Sequence, residues 1–182
     1  MNDNIKIIDN YLGEKENVKM KESMLDRRFP WNIAAKVGRP DLDGCNVSPL
    51  NNQVCHYFVD KNIVTSEHLS VIKEITNKFN AKKIWRIKAN CELGTTTAYE
   101  SDFHYDQTTI GPSTGHKELP IHQITNAIYY LNTNNGYTEF KDGTKVETVC
   151  DRLITFPNNL LHRGVSQTDC MYRIVINFNL EF

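Results

Sequence analysis

The spacing of apolar positions changes character near residue 84 of this chain. Upstream of that point it is mostly helical. Ile5, Ile7, Ile8, Tyr11 and Leu12 predict a short strand over 5–12 that runs into the start of a helix. Val18, Met20, Met24 and Leu25 fall at helical spacing within 14–28, and Phe29-Pro30-Trp31 should end that helix, because proline disfavours helix at the residue before it. The stretch 39–52 is rich in Pro, Gly, Asp and Asn and reads as loop, and 54–59 reads as a strand. The clearest helix is 65–80, with Ser66 as N-cap and Ile63, Leu69, Ile72, Ile75 and Phe79 near one stripe.

From Ile84 onward the period is two. Strands are expected at 84–91 and 95–99, around His104, and at 126–131, 137–140, 146–149, 151–156, 164–167 and 173–180. Asn-Thr-Asn-Asn-Gly at 132–136 and Lys141-Asp142-Gly143 carry turn chemistry. The stretch 107–123 holds Gly111, Pro112, Gly115 and Pro120 without periodicity, and is expected to be a long loop of the lid or binding kind. Helices followed by about eight short strands predict an all-β core with flanking helices, and a double-stranded β-helix (jelly roll) fits that count. The expected organisation is one domain over 1–182, with 1–80 as an N-terminal buttress of helices and a strand and 84–182 as the β-helix core.

Composition narrows the function classes. The 182 residues carry a net charge of −1, so there is no basic field for nucleic acid or an anionic membrane. No apolar run approaches a membrane span, and the N-terminus lacks the shape of a signal peptide. Five cysteines without a C-x-x-C pair read as free thiols in a reducing compartment, which implies a cytoplasmic location and argues against a structural zinc site.

Candidate chemistry centres on Phe103-His104-Tyr105-Asp106. In an extended strand His104 and Asp106 project from one face. His162 is a candidate third ligand, and two histidines with one carboxylate suit non-haem Fe(II) chemistry. The H-x-D pair alone is a weak signal, since a surface histidine beside a turn aspartate has the same pattern. The last strand adds context. Arg173, Val175, Asn177 and Asn179 share one face, Ile174, Ile176, Phe178 and Leu180 the other. The apolar face should pack on the helices and the polar face should line the barrel interior. Arg173 there is a planar fork suited to a carboxylate, although a surface arginine on a two-sided strand is the plainer reading. Asn126, Ile128 and Tyr130 share a face in the same way. The Tyr130 hydroxyl could reach the group that Arg173 binds, or could be satisfied by backbone in the core.

Taken together and in order, these pieces resemble the 2-oxoglutarate and Fe(II)-dependent dioxygenases of the prolyl-4-hydroxylase type. The resemblance rests on six pieces: His104-Tyr105-Asp106, Ile128 to Asn132, Gly136 to Phe140, Asp151 to Phe156, His162, and Arg173. Spacing agrees as well, with 58 positions between the two histidines and 11 from His162 to Arg173. The resemblance covers 84–180.

It implies a hydroxylase with His104, Asp106 and His162 as iron ligands. It also implies Arg173 as partner of the distal carboxylate of 2-oxoglutarate, with Tyr130 donating a second hydrogen bond. Family members often carry an R-Y-x-x-G pattern before H-x-D. This chain has Arg86 to Gly94 without that tyrosine, so Asn90 or Lys88 is the expected contact to the cosubstrate near the iron. The implied cosubstrates are 2-oxoglutarate and O2, with ascorbate as an in vitro reductant, and the implied substrate is a prolyl residue of a peptide or protein. A small molecule such as a free amino acid is the alternative within the class. Outside it stand a non-catalytic jelly-roll module and a metal-dependent cupin-like isomerase or hydrolase. His56, His68, His116 and His122 match nothing in the pattern and are expected on surface or loops, the last two in the presumed lid. Trp31 is expected either to line a groove or to pack.

Overall fold

The computed structural model describes residues 2–33, 52–106 and 123–182. In chain order the elements are β1 (Lys6–Ile8), α1 (Glu14–Leu25), β2 (Asn32–Ile33), β3 (Gln53–Asp60), β4 (Ile63–Val64), a 3-10 turn (Glu67–Ile72) leading into α2 (Lys73–Phe79), β5 (Lys83–Leu93), β6 (Ile124–Tyr130), β7 (Tyr137–Phe140), β8 (Lys145–Glu147), β9 (Arg152–Pro157), β10 (His162–Val165) and β11 (Tyr172–Glu181). The expected loops at 39–52 and 107–123 lie almost wholly outside the described residues.

All strand pairs are antiparallel, in two sheets. The larger runs β1-β9-β6-β11-β5-β3-β2, with β4 beside β3, and the smaller runs β10-β7-β8. The stretch before His104 joins the smaller sheet through bridges from Glu100 to Val165 and from His104 to His162. This is an all-β core with flanking helices, of the jelly-roll kind. Four of the strands in or beside the larger sheet, β1 to β4, come from the first 64 residues, so that part of the chain extends the sheet as well as backing it.

The period-two pattern separates two cores. Ile174, Ile176, Phe178 and Leu180 of β11 pack with Tyr129, Ile87, Phe79, Ile75, Met20 and Met24 beneath the helices. Val175, Ile128, Tyr130, Ile154 and Phe156 meet Phe140 and Val146 of the smaller sheet between the two sheets. Each large side chain buried this way contributes about 1.5–3 kcal/mol relative to leaving it in water.

Both helices differ from expectation. In α1 the buried positions are Asn17, Met20 and Met24, whereas Val18 and Leu25 are exposed. The inward face is 17, 20, 24, because the Asn17 amide donates to the Tyr129 hydroxyl at 2.7 Å and so sits inside without an unpaired donor. Ser66 does cap the second helical segment, accepting from the His68 N–H at 3.0 Å. That segment starts as a 3-10 turn, however, and Ile63, placed on its stripe by spacing, is an exposed residue of β4. The expected strand at 95–99 is absent. Thr95 Oγ1 turns onto the Thr97 carbonyl at 2.6 Å, a local side-chain bond that competes with a sheet ladder. Among the described residues no helix is long and apolar enough to cross a membrane. Cys55, Cys91, Cys150 and Cys170 are free thiols.

Candidate metal centre

β10 opens with His162, and the chain at His104 lies against it. The His104 N–H donates to the His162 carbonyl at 2.9 Å and the His162 N–H returns the bond at 3.1 Å. Directly opposed residues of an antiparallel pair point the same way, so the two rings meet with centroids 4.9 Å apart. Asp106 joins them from a bend, not from the regular strand expected for 103–106. Among the described residues no ladder continues past His104, and two side chains hold Asp106 in place. Arg86 Nη2 lies 3.1 Å from Asp106 Oδ1, and Asn179 Nδ2 donates to Oδ2 at 3.4 Å. One ligand atom each from His104, Asp106 and His162 then lie within 4.8 Å of one another.

The hydrogen bonds around the imidazoles select a tautomer. His104 Nδ1 is 2.9 Å from the Asp102 carbonyl and His162 Nδ1 is 3.1 Å from the Leu160 carbonyl. A carbonyl oxygen only accepts, so each Nδ1 carries the proton and each Nε2 lone pair faces Asp106, 4.0 Å and 3.9 Å away. Burial pulls the His162 pKa below its ordinary value and keeps the ring neutral, outweighing the attraction of Asp106. Burial alone would raise the Asp106 pKa, but the Arg86 guanidinium, the two histidines and the Asn179 amide hold it below the usual carboxylate range. Two imidazoles with Nδ1 committed to carbonyls and a carboxylate fit a divalent first-row cation with open positions. His104 Nε2, His162 Nε2 and a carboxylate oxygen of Asp106 are the atoms that would hold it.

The same inner face continues along β5 and β11, whose register sets Arg86 beside Asn179, Lys88 beside Asn177, Asn90 beside Val175 and Glu92 beside Arg173. Arg173 is buried at the far end. Its Nε donates to Thr148 Oγ1 at 3.0 Å, and its Nη1 donates to Glu92 Oε2 at 3.0 Å. The guanidinium carbon lies 5.8 Å from the Tyr130 ring centre, and the Tyr130 hydroxyl donates to Thr138 Oγ1 at 2.8 Å. Two glycines make room here. A Cβ on Gly136 would meet Arg173 Cδ at 2.9 Å, and one on Gly164 would lie 3.6 Å from Glu92 Oε1.

Five of the seven sequence-derived site residues therefore fall into two groups on one face. His104, Asp106 and His162 converge, and Arg173 and Tyr130 are neighbours further along. Asn90 and Lys88 lie between them on β5. Asn90 accepts from Gln53 Nε2 at 2.5 Å. The Lys88 ammonium stands 5.3 Å from the Tyr57 ring centre, and burial lowers its pKa. Arg86, Glu92 and Asn179 went unassigned at the sequence level, yet 86, 88, 90 and 92 share one face by period two, which was the available signal. His56, expected on surface or loop, is buried: Nδ1 meets the Pro30 carbonyl at 3.0 Å and Nε2 meets Ser66 Oγ at 2.8 Å. Trp31 packs, donating to the Met24 carbonyl at 2.9 Å beside Phe29. His116 and His122 lie outside the described residues.

No family profile matches the sequence, and no curated protein matches it. Solved structures do match in fold. A prolyl hydroxylase in complex with a hypoxia inducible factor oxygen degradation domain peptide fragment, from Trichoplax adhaerens, is similar at 15% identity and TM-score 0.66, over 99% of this chain and 84% of that one. A Pseudomonas putida prolyl-4-hydroxylase is similar at 12% identity and TM-score 0.57, over 98% and 92%. An oxidoreductase of the 2OG-Fe(II) oxygenase family from Burkholderia pseudomallei is similar at 11% identity and TM-score 0.59, over 98% and 84%. The chain thus has the fold of the 2OG-Fe(II) oxygenase structures across nearly its whole length.

Proposed function

We propose that this protein is an Fe(II)- and 2-oxoglutarate-dependent dioxygenase that hydroxylates a prolyl residue of a peptide or protein. One observation carries the reading: His104, Asp106 and His162 present three mutually close ligand atoms, with both imidazole tautomers set for coordination, on a face that ends at a buried arginine. The fold shared with prolyl hydroxylases supports it. When bound, the iron would activate O2 at the expense of 2-oxoglutarate decarboxylation. The chain's own residues do the rest. The triad orients the metal, Arg86 and Asn179 steady Asp106, and Arg173 draws the distal carboxylate of 2-oxoglutarate into the interior. The apolar residues between the sheets exclude water from the reacting centre.

The test is succinate release from 2-oxoglutarate with Fe(II) and ascorbate, with and without proline-containing peptides. Turnover dependent on both iron and 2-oxoglutarate is expected, with a rise on adding an accepted peptide. Failure to bind Fe(II) together with no succinate from any peptide or free amino acid would leave a binding module. The Arg173–Glu92 pair favours a second reading, a cupin-like isomerase or hydrolase that binds no 2-oxoglutarate. That reading predicts full activity in Arg173→Ala.

A further inference from the structure

Arg173 is not a bare cation. Its Nε is committed to Thr148 and its Nη1 to Glu92, which is its register partner on β5. Glu92 comes from β5, which pairs with the Arg173 strand, and its other carboxylate oxygen lies 3.6 Å from where a Cβ on Gly164 would stand. The side chains are 3% and 20% exposed, so the pair is largely screened from water.

A carboxylate that grips a guanidinium by two parallel bonds needs two N–H groups on one edge of the fork. Glu92 already holds Nη1. An incoming dicarboxylate must therefore use the remaining Nη N–H groups beside the like charge of Glu92, or displace Glu92 toward solvent. The partial exposure of Glu92 makes displacement feasible.

Resting on the dioxygenase reading, we propose that Glu92 is a specificity-determining residue of the cosubstrate pocket. It competes with the distal carboxylate of a 2-oxo dicarboxylic acid for Arg173. The pocket in consequence favours 2-oxoglutarate over a 2-oxo monocarboxylic acid less strongly than its buried arginine alone would. Glu92 touches neither metal nor reacting atoms, and it acts by occupying the fork.

The experiment is titration calorimetry on the Mn(II)-loaded full chain, which reads binding without turnover. 2-Oxoglutarate is compared with 2-oxobutyrate, which lacks the distal carboxylate, for the wild type, Glu92→Gln, Glu92→Asp and Glu92→Gln/Arg173→Gln. The Gln variant keeps the shape and removes the charge, so 2-oxoglutarate should bind about tenfold tighter while 2-oxobutyrate is unchanged. Glu92→Asp, with a shorter arm, should fall between, which guards against a Gln variant that folds poorly. The double variant should lose the preference altogether. Equal or weaker 2-oxoglutarate binding in both single variants overturns the proposal and leaves the dioxygenase reading standing. If Mn(II) binds and no form binds 2-oxoglutarate, that reading falls and the proposal with it.

Discussion

The inner face of the larger sheet has two ends, and they handle charge in opposite ways. At one end His104, Asp106 and His162 bring three electron-pair donors together. Arg86 is the only cation with a carboxylate contact there among the described residues. At the other end Arg173 already has a carboxylate, Glu92, and a hydroxyl, Thr148. The first end is built from donors whose lone pairs face one another, an arrangement that pays off only when a cation arrives. The second is an ion pair that is complete within the chain. Ligand binding should add stability at the first end, whereas at the second it must exchange one carboxylate for another.

The largest expected effect breaks the first end. His104→Ala or Asp106→Ala should weaken Fe(II) or Mn(II) binding by more than about 100-fold. Metal content after desalting checks this, and wild-type content in either variant would remove the triad as the site. Next, Arg173→Ala leaves Glu92 partly buried without its cation. The expected loss of stability is roughly 2–3 kcal/mol by urea unfolding, somewhat below a fully buried pair because Glu92 retains some exposure. A paired Arg173→Met/Glu92→Met change should cost less than the single, and a larger cost for the double would mean that the pair is held by packing rather than by charge.

Tyr130→Phe sharpens the contrast on a smaller scale. It removes one buried hydrogen bond to Thr138 and should cost about 1 kcal/mol, with metal content unchanged. The smallest effect lies away from both ends. Burial pulls the His56 pKa below its ordinary value, so the unfolded chain takes up a proton more readily than the folded one. The stability from neutral His56 is therefore fully present above about pH 6.5 and declines as pH falls through the lowered folded value. Urea midpoints at pH 7.5 and 5.5 should drop more in the wild type than in His56→Gln.

Most of the β core was legible from period-two spacing. β11, β6 and β5 lie close to where alternation placed them, and the polar side of β11 does face inward. Local turn chemistry was legible for a related reason. Gly143 adopts a φ of 87°, and its N–H closes onto the Phe140 carbonyl at 2.9 Å, as the Lys141-Asp142-Gly143 turn requires. The helices were less legible. Asn17 is polar and Val18 apolar, and the Tyr129 hydroxyl and Cys150 thiol opposite make Asn17 the inward residue.

The site divides along the same line. The residue types able to ligate a metal, their order and the alternation that puts Arg86, Lys88, Asn90 and Glu92 on one face belong to the sequence alone, because strand geometry turns spacing into sidedness without help from neighbours. Which of those side chains meet was decided only by the tertiary structure. The bend at Asp106, the pairing of Glu92 with Arg173 and the burial of His56 all depend on register between strands far apart in the chain. Register is set by the packing of whole sheets, and no window of sequence carries it.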